Sequence, residues 1–146
     1  KVGIIGPSAD DCAIVGRRFP GLEIASYTPP MGFIKSDVEV QKCIAFILGA
    51  NADITFLAVG SPQQEILAHR LLEYPEARGV ALCIGASIDV LTGKQQRAPL
   101  WIQNSGLEWL HRLLSDPKRL AKRYLVKCPK IFGLVVAQMM NPRFRS

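Results

Sequence analysis

Four short apolar segments, each followed by a tight turn and a helical pattern, dominate the first two thirds of the sequence. They are KVGIIG (1–6), LEIASY (22–27), DITFLAVG (53–60) and GVALCIG (79–85). Amphipathic patterns lie between them, the clearest over residues 37–48 after a capping Ser36. Strands that alternate with helices through short loops predict an α/β fold with a parallel sheet and right-handed crossovers.

The sequence changes character after Gly93. No strand-like segment follows, and the remaining residues are typical of helices interrupted near Asp116 and Pro117. Residues 1–93 carry 7 Lys/Arg against 10 Asp/Glu, a net charge of −3, whereas residues 94–146 carry 11 against 2, a net charge of +9. We therefore predict an α/β domain over 1–93 and a helical, basic appendage over 94–146. Such an appendage favours an anionic partner: lipid headgroups, nucleic acid or substrate phosphates.

Cysteine and histidine are too scattered to indicate a metal site. The four cysteines form no CxxC pair, and His69 and His111 stand in no zinc-like spacing. Most of the cysteines lie in apolar surroundings, so we expect buried free thiols in a reducing compartment. The chain begins with Lys1 and has no signal-peptide pattern, which suggests a fragment or a mature segment. No cofactor and no protein-bound metal are predicted.

The stretch GSPQQE (60–65) lies between the third apolar segment and a helical pattern. Ser61 at the N-cap, Pro62 at the first helical position and Gln64 two residues later match the capping box S-x-x-Q. Capping does not account for Gln63 or Glu65. Nor does it account for a polar cluster at the carboxyl end of a strand, where a helix N-terminus can face a ligand. A helix cap and a ligand site therefore both stay open for this stretch.

Two other turns would share that edge of the sheet. The turn GPSAD (6–10) lacks the G-x-G-x-x-G spacing and the lysine of a P-loop, so we interpret it as a strand-to-helix turn capped by Ser8. Asp89, in GASIDVLTG, follows the fourth strand. An aspartate in a turn usually caps or bends the chain, but a position beside Gln64 at the sheet edge makes Asp89 a candidate pocket residue.

Four cations lie close together in the appendage: Arg112, Arg119, Lys122 and Arg123. A solvated basic face is the ordinary interpretation of such a run, although arginine also binds diphosphates through paired hydrogen bonds. Aromatic and aliphatic residues nearby fit a helix on an anionic membrane, or a docking surface within a larger protein. No known nucleic-acid-binding pattern occurs, so nucleic-acid binding is the minority alternative.

In their order along the chain, VGSPQQE, IGASIDVLTG, RAP-x-W and GLEWLHRLLSDPKRLAKRY resemble the WecG/TagA/CpsF glycosyltransferases. The resemblance implies a Rossmann-like fold and inverting transfer from a UDP-sugar to a polyprenyl-diphosphate-linked saccharide, in bacterial cell-surface polysaccharide synthesis. It implies no strict need for a metal. It also implies that residues 112–146 face an anionic membrane, at the cytoplasmic side of the plasma membrane. Apolar tail residues such as Leu134, Val135 and Met139 could face either lipid or another subunit, so a homo-oligomer is a possible state.

The resemblance also assigns roles to single residues. Substrate-binding roles fall on the sheet edge: Gly32, Phe33, Gly60, Gln64, Glu65 and Asp89. Stabilisation of the diphosphate falls on Arg112 and Arg119, and further substrate contacts fall on Lys122 and Arg123. Lys122 stands where relatives often have arginine, so it keeps the charge without the paired hydrogen bonds.

One segment of the family has no counterpart in this sequence. Family members carry a further segment before the GIIG strand, with an aspartate proposed as general base, and nothing in this chain matches it. An inverting transfer needs such a group to deprotonate the acceptor hydroxyl. We therefore expect the chain alone to be a poor catalyst. The alternatives are a catalytically incomplete nucleotide-sugar-binding fragment and a basic nucleic-acid-binding protein.

Overall fold

A computed structural model describes residues 1–96, 98–115, 117, 120, 133 and 135, apart from the side chains of Arg112 and Ser115. The chain divides into two compact units, Lys1–Gln96 and Arg97–Ser146. The elements of the first unit, in chain order, are β1 (Val2–Ile5), α1 (Ala9–Arg18), β2 (Ile24–Tyr27), a 3₁₀ turn (Phe33–Lys35), α2 (Asp37–Ala50), β3 (Ile54–Leu57), α3 (Gln63–Leu71), β4 (Val80–Cys83) and α4 (Ser87–Leu91).

All four strands of the first unit are parallel and lie in the order β2-β1-β3-β4. Val2 of β1 stands opposite Ile24 of β2 on one side and Ile54 of β3 on the other. The predicted α/β fold with a Rossmann-like parallel sheet and flanking helices is confirmed. Each strand contains only four residues. The strands are shorter than the apolar segments of the sequence, because the ends of those segments belong to the turns.

The two faces of the sheet bury separate cores, because side chains of successive strand residues point in opposite directions. Ile4 faces α1 and α4 and packs with Val15 and Ile88. Its neighbour Ile5 faces α2 and α3 and packs with Ile44 and other buried side chains. Helices cover the sheet on both faces. For this reason the strand segments are continuously apolar instead of alternating between apolar and polar residues.

Helix caps follow the sequence predictions in part. Ser8 caps α1, and its side chain accepts a hydrogen bond from the Asp11 amide, as predicted. Ser36 stands at the N-cap of α2, but its side chain makes no capping hydrogen bond. That helix runs two residues beyond its predicted end and stops at Asn51, which adopts the left-handed conformation that often terminates helices.

Cysteine burial differs from the expectation at one position. Cys12 and Cys43 are buried free thiols, as expected, and burial raises the pKa of Cys43 to about 11. Cys83 is also free but is exposed on β4.

The described part of the second unit contains α5 (Leu100–Asn104) and α6 (Glu108–Ser115), separated by a turn at Gly106. The amide nitrogen of the Gln103 side chain donates a hydrogen bond to the carbonyl oxygen of Ala98 at 2.6 Å. Among the described residues, no helix has the length and apolar character needed to cross a membrane. The predicted helices beyond residue 115 lie largely outside the described residues. The division into an α/β domain over residues 1–93 and a helical, basic appendage over residues 94–146 stays a prediction.

Candidate active site

The candidate site lies where the four strands end. Because the strands are parallel, the loops that follow β1, β2, β3 and β4 meet at one edge of the sheet. From β1 the chain moves outward to β2, and it then returns to the other side of β1 to form β3. The loops after β1 and β3 therefore diverge at a switch in strand order, the usual location of ligand sites in open parallel sheets.

A glycine allows the loops after β1 and β3 to approach each other closely. Gly6, directly after β1, has a φ of +125°, and a Cβ atom placed on it would lie 2.7 Å from the carbonyl oxygen of Ala58. Ala58 in turn donates its amide hydrogen to the carbonyl oxygen of Ile5 at 2.8 Å. The first residues of the two loops are therefore in close backbone contact, before the loops diverge.

The Gln64 side chain joins the loop after β3 to the loop after β4. It is 7% exposed, and its Oε1 atom accepts a hydrogen bond from the amide of Gly85 at 2.8 Å. Its Nε2 atom donates to Oε1 of Glu65 at 3.0 Å, which fixes the orientation of the side-chain amide. The backbone amide of Gln64 donates to the carbonyl oxygen of Gly60 at 3.0 Å. Gln64 therefore makes hydrogen bonds to three other positions at this edge: Gly60, Glu65 and Gly85.

The predicted capping box at Ser61 and Gln64 is wrong. Helix α3 begins at Gln63 with Pro62 at the N-cap position, and no side chain caps it. The helix begins one residue later than the motif predicted, so Gln64 is not at the third helical position. Its side chain reaches across to Gly85 instead of back to the helix start. Of the two interpretations of GSPQQE, the capping one is thereby removed.

A buried carboxylate at the same edge was not recognised as a candidate from the sequence. The Asp11 side chain is 3% exposed, and its Oδ2 atom accepts hydrogen bonds from the Ser8 hydroxyl at 2.6 Å and from Lys94 Nζ at 2.7 Å. Its Oδ1 atom is buried and has no hydrogen-bond partner among the described residues. The hydrogen bond from Lys94, followed by that from Ser8, holds the pKa of Asp11 below its ordinary value.

Part of this arrangement has a signal in the sequence. The spacing Ser8-x-x-Asp11 is that of a capping box, and the reciprocal hydrogen bonds of that box are present. Nothing in the local pattern identifies Lys94 as the partner, because the two residues are 83 positions apart. Lys94 belongs to the first unit, which extends to Gln96.

The other edge residues occupy different surroundings. Asp89 lies in the first turn of α4, half-buried, and its carbonyl oxygen accepts a hydrogen bond from the amide of Gln95 at 3.0 Å. Gly32 precedes the 3₁₀ turn with a φ of 78°. Phe33 is buried in the core beneath α2, so its side chain supports the turn from within the protein.

Of the predicted diphosphate-binding residues, the structure describes only the backbone of Arg112. Arg112 lies in α6, and its side chain is not among those described. Arg119, Lys122 and Arg123 lie outside the described residues. Their predicted roles, like those of the edge residues, stay predictions.

Across residues 1–96 and 98–115 and the four isolated described positions, no three His, Cys, Asp or Glu side chains are grouped as metal ligands.

We expect Lys94→Ala to lower the stability of the protein in a pH-dependent way. The folded-state pKa of Asp11 lies below its ordinary value of 3.8, mainly because Lys94 donates a hydrogen bond to it. A depressed folded-state pKa contributes stability that is present above about pH 4 and is lost as the pH falls through the folded-state pKa. The variant should therefore unfold at a lower urea concentration than the wild type at pH 7, and the difference should narrow at pH 3.

Lys42→Ala is the matched control for that experiment. Lys42 and Lys94 are similarly exposed, and each approaches a carboxylate closely, but Glu39 is far more exposed than Asp11. A pair whose carboxylate is partly exposed contributes less to stability than one whose carboxylate is buried. Equal shifts of the urea midpoint in the two variants at pH 7 would contradict the importance given to the Asp11 pair.

The sequence is similar to that of a known protein family and to two curated bacterial proteins. Residues 9–145 match the model of a family described as the glycosyl transferase WecG/TagA/CpsF family. The chain is 39% identical over 123 residues to an N-acetylglucosaminyldiphosphoundecaprenol N-acetyl-beta-D-mannosaminyltransferase of Bacillus spizizenii (strain ATCC 23059 / NRRL B-14472 / W23). That match covers 84% of this chain and 44% of the relative. It is 32% identical over 130 residues to a protein of the same name from Bacillus subtilis (strain 168), covering 88% of the chain and 47% of that relative. The chain thus spans less than half the length of each of these relatives.

Proposed function

The chain belongs to the WecG/TagA/CpsF family of glycosyltransferases, and from that premise we propose that it takes part in sugar transfer from a UDP-sugar to a saccharide on polyprenyl diphosphate. The products would enter bacterial cell-surface polysaccharides. The observation that carries the proposal is the bridge that Gln64 makes between the loops after β3 and β4. N-acetylmannosamine is the first donor sugar to test, because both relatives described above carry it in their names.

The donor would bind at the carboxyl edge of the sheet. Helices α1 and α3 both start at this edge, and the positive end of a helix dipole favours anionic groups such as a diphosphate. Gly32 and Gly60 have positive φ values in the adjoining turns. We assign the UDP-sugar contacts to these turns, to Gln64 with Glu65, and to Asp89, with Phe33 supporting the turn after β2.

In the proposed reaction the acceptor hydroxyl oxygen attacks the anomeric carbon from the face opposite UDP. A new C–O bond forms as the bond to the β-phosphate oxygen breaks, and UDP leaves with that electron pair. The hydroxyl proton passes to a general base. Negative charge grows on UDP, and arginine is suited to neutralise it. We assign that role to Arg112 and Arg119, assisted by Lys122 and Arg123, without a cofactor or a bound metal.

The general base is assigned to polypeptide outside the matched residues. Of the carboxylates at the edge, Glu65 accepts a hydrogen bond from Gln64. Asp11 accepts hydrogen bonds from Ser8 and Lys94, which lower its pKa and make it a weak base. The lowered pKa makes Asp11 poorly suited to removing a proton near neutral pH.

The second unit is proposed to bind the cytoplasmic face of the bacterial plasma membrane through residues 112–146. Its described helices expose large apolar side chains, among them Trp101, Trp109 and Leu114. Residues 112–146 carry 9 Lys/Arg against 1 Asp/Glu, a net charge of +8. Each Lys or Arg near an anionic surface contributes about 1 kcal/mol to such binding. Flotation with vesicles should therefore require anionic lipid and weaken as salt is raised.

The proposal is tested by measuring UDP binding and sugar transfer separately. Calorimetry should detect UDP binding to this chain. An assay of UDP release from UDP-N-acetylmannosamine, with N-acetylglucosaminyl diphosphoundecaprenol as acceptor, should find slower transfer than with the Bacillus spizizenii relative. The reason is that we assign the base to polypeptide outside the matched residues.

Each outcome of that experiment has a defined meaning. Absence of UDP binding would overturn the donor site. Transfer as fast as that of the relative would overturn the assignment of the base to other polypeptide. Salt-sensitive binding to nucleic acid without UDP binding would favour the nucleic-acid-binding alternative.

A further inference from the structure

Helix α4 carries Asp89 but is too short to be stable by itself. It contains five residues, and isolated helices of fewer than about 12 residues are marginal in water. Its position must therefore come from contacts with its surroundings. One such contact is apolar, because Ile88 is buried in the same core cluster as Cys12 and Val15 of α1. The remaining contacts are polar and involve the turn that follows α4.

The turn after α4 is folded back onto that helix. The amide of Gln95 donates a hydrogen bond to the carbonyl oxygen of Asp89 at 3.0 Å. Lys94 lies within the same turn, and its Nζ atom donates to Oδ2 of Asp11, at the start of α1, at 2.7 Å. The pair of Lys94 and Asp11 therefore fixes the turn, and with it the backbone of Asp89, to the loop that follows β1.

The charges around Lys94 indicate that its ammonium is committed to carboxylates. The side chain of Asp11 is 3% exposed and cannot turn toward solvent, whereas that of Lys94 is 57% exposed. The charges of Asp89 and Asp10 act on the same ammonium. Among the described residues, the charge around this point is thus negative on balance, which disfavours a further anion such as a diphosphate.

Three contacts connect three of the edge loops in a closed ring. Backbone joins the loops after β1 and β3, at Gly6 and Ala58. The Gln64 side chain joins the loops after β3 and β4, through the amide of Gly85. Lys94 joins the polypeptide after β4 back to the start of α1. Each loop of the ring is restrained from two sides, so the loss of one contact should loosen the others as well.

We infer that Lys94 is a positioning residue for donor binding. Held by Asp11, it completes the ring and keeps the loop after β4, together with Asp89, in the shape that receives the UDP-sugar. The inference rests on the donor site proposed above. The rival role, in which the exposed ammonium binds the diphosphate directly, leads to the opposite expectation for a neutral residue at position 11.

Hydrogen exchange without ligand tests the ring. In Lys94→Ala, the amide of Gly85 should exchange faster by about fivefold or more, although its bond is to Gln64 and not to Lys94. The amide of Ile47, in the middle of α2, corrects for global unfolding. Lys94→Arg should restore slow exchange, because a guanidinium also pairs with a carboxylate. Arg18→Ala is the control, since it removes the bond from the other end of α1 to the end of α4.

Calorimetry with UDP on the same variants tests the consequence for binding. Lys94→Ala should weaken UDP binding by about 3- to 10-fold, and Lys94→Arg and Arg18→Ala should leave it nearly unchanged. Asp11→Asn should weaken binding to a similar degree as Lys94→Ala. The double variant should be no weaker than either single variant, because the two residues act as one pair. If Lys94 bound the diphosphate itself, Asp11→Asn would free the ammonium and binding would stay equal or become tighter.

The contrary outcomes are specific. Unchanged exchange of the Gly85 amide in Lys94→Ala would overturn the ring, whether or not the chain binds UDP. Undiminished UDP affinity in Lys94→Ala would overturn the role in donor binding, and undiminished or tighter binding in Asp11→Asn would favour direct contact with the diphosphate. Absence of UDP binding by the wild type would overturn the donor site itself, and the exchange measurement would still decide whether the ring exists.

Discussion

Gln64→Ala is expected to weaken UDP binding by about 10- to 100-fold. The substitution leaves the half-buried Gly85 amide without its partner, and losing such a hydrogen bond costs about 1–3 kcal/mol if the loop must keep the shape that binds UDP. Each 1.4 kcal/mol corresponds to about a tenfold change in affinity. The cost falls on the loop after β4, which is part of the proposed donor site. Calorimetry with UDP on the folded variant measures the effect.

Three further variants separate the contributions of the Gln64 side chain. Gln63→Ala, one position earlier in the same helix, is the control and should leave UDP affinity unchanged. Glu65→Gln keeps an oxygen that can accept from Gln64, so its effect should stay below about threefold. Gln64→Glu keeps an acceptor for Gly85 but places two carboxylates side by side, and it should approach the alanine variant. Unchanged affinity in both Gln64 variants would contradict the bridging role.

Gly6→Ala is expected to destabilise the protein by about 2–6 kcal/mol, from overpacking of about 1–3 kcal/mol and backbone strain of about 1–3 kcal/mol. The added methyl group would meet the Ala58 carbonyl oxygen at 2.7 Å and a Val59 methyl group at 3.1 Å. Backbone cannot rotate away as a side chain can, so the loops after β1 and β3 must separate. The loss is a large share of the 5–15 kcal/mol of stability that is typical of a domain.

Two other glycines serve as matched controls for Gly6. Gly60→Ala adds a methyl group to open space at a φ of +76°, so only the strain of about 1–2 kcal/mol applies. Gly49→Ala adds it to open space on helix α2 and should raise stability by about 0.5–1 kcal/mol. Urea denaturation of the three variants orders them. A Gly6 variant no less stable than the Gly60 variant would show that the loops separate without cost.

The fold could be predicted because its signals are local. Continuous apolar segments ending at turns, followed by helical patterns, determine strand and helix positions. The helical crossovers between successive strands make the sheet parallel. The Ser8 cap was predictable for the same reason. The site was predictable only as a set of positions along one edge. The partners of Gln64 and Asp11 are 21 and 83 residues away in sequence, and no local pattern encodes such pairs.

One prediction failed through competition between two uses of the same side chain. The Ser61-Pro62-Gln63-Gln64 spacing satisfies the capping rule, yet Gln64 bonds Gly85, and the helix starts uncapped at Gln63. The Gln64 side chain accepts a hydrogen bond from the Gly85 amide on a neighbouring loop instead of from the backbone at the helix start. Motif rules that consider one helix at a time cannot detect that competition.

The uneven burial of the thiols in residues 1–96 gives the protein an internal chemical reporter. The thiolate form of cysteine attacks alkylating reagents, so Cys43, fully buried and with a pKa of about 11, should react extremely slowly. Cys12 is buried too, whereas Cys83 stands exposed on β4. Mass spectrometry of the peptide containing Cys83 can therefore follow access to that strand over time, without any engineered label.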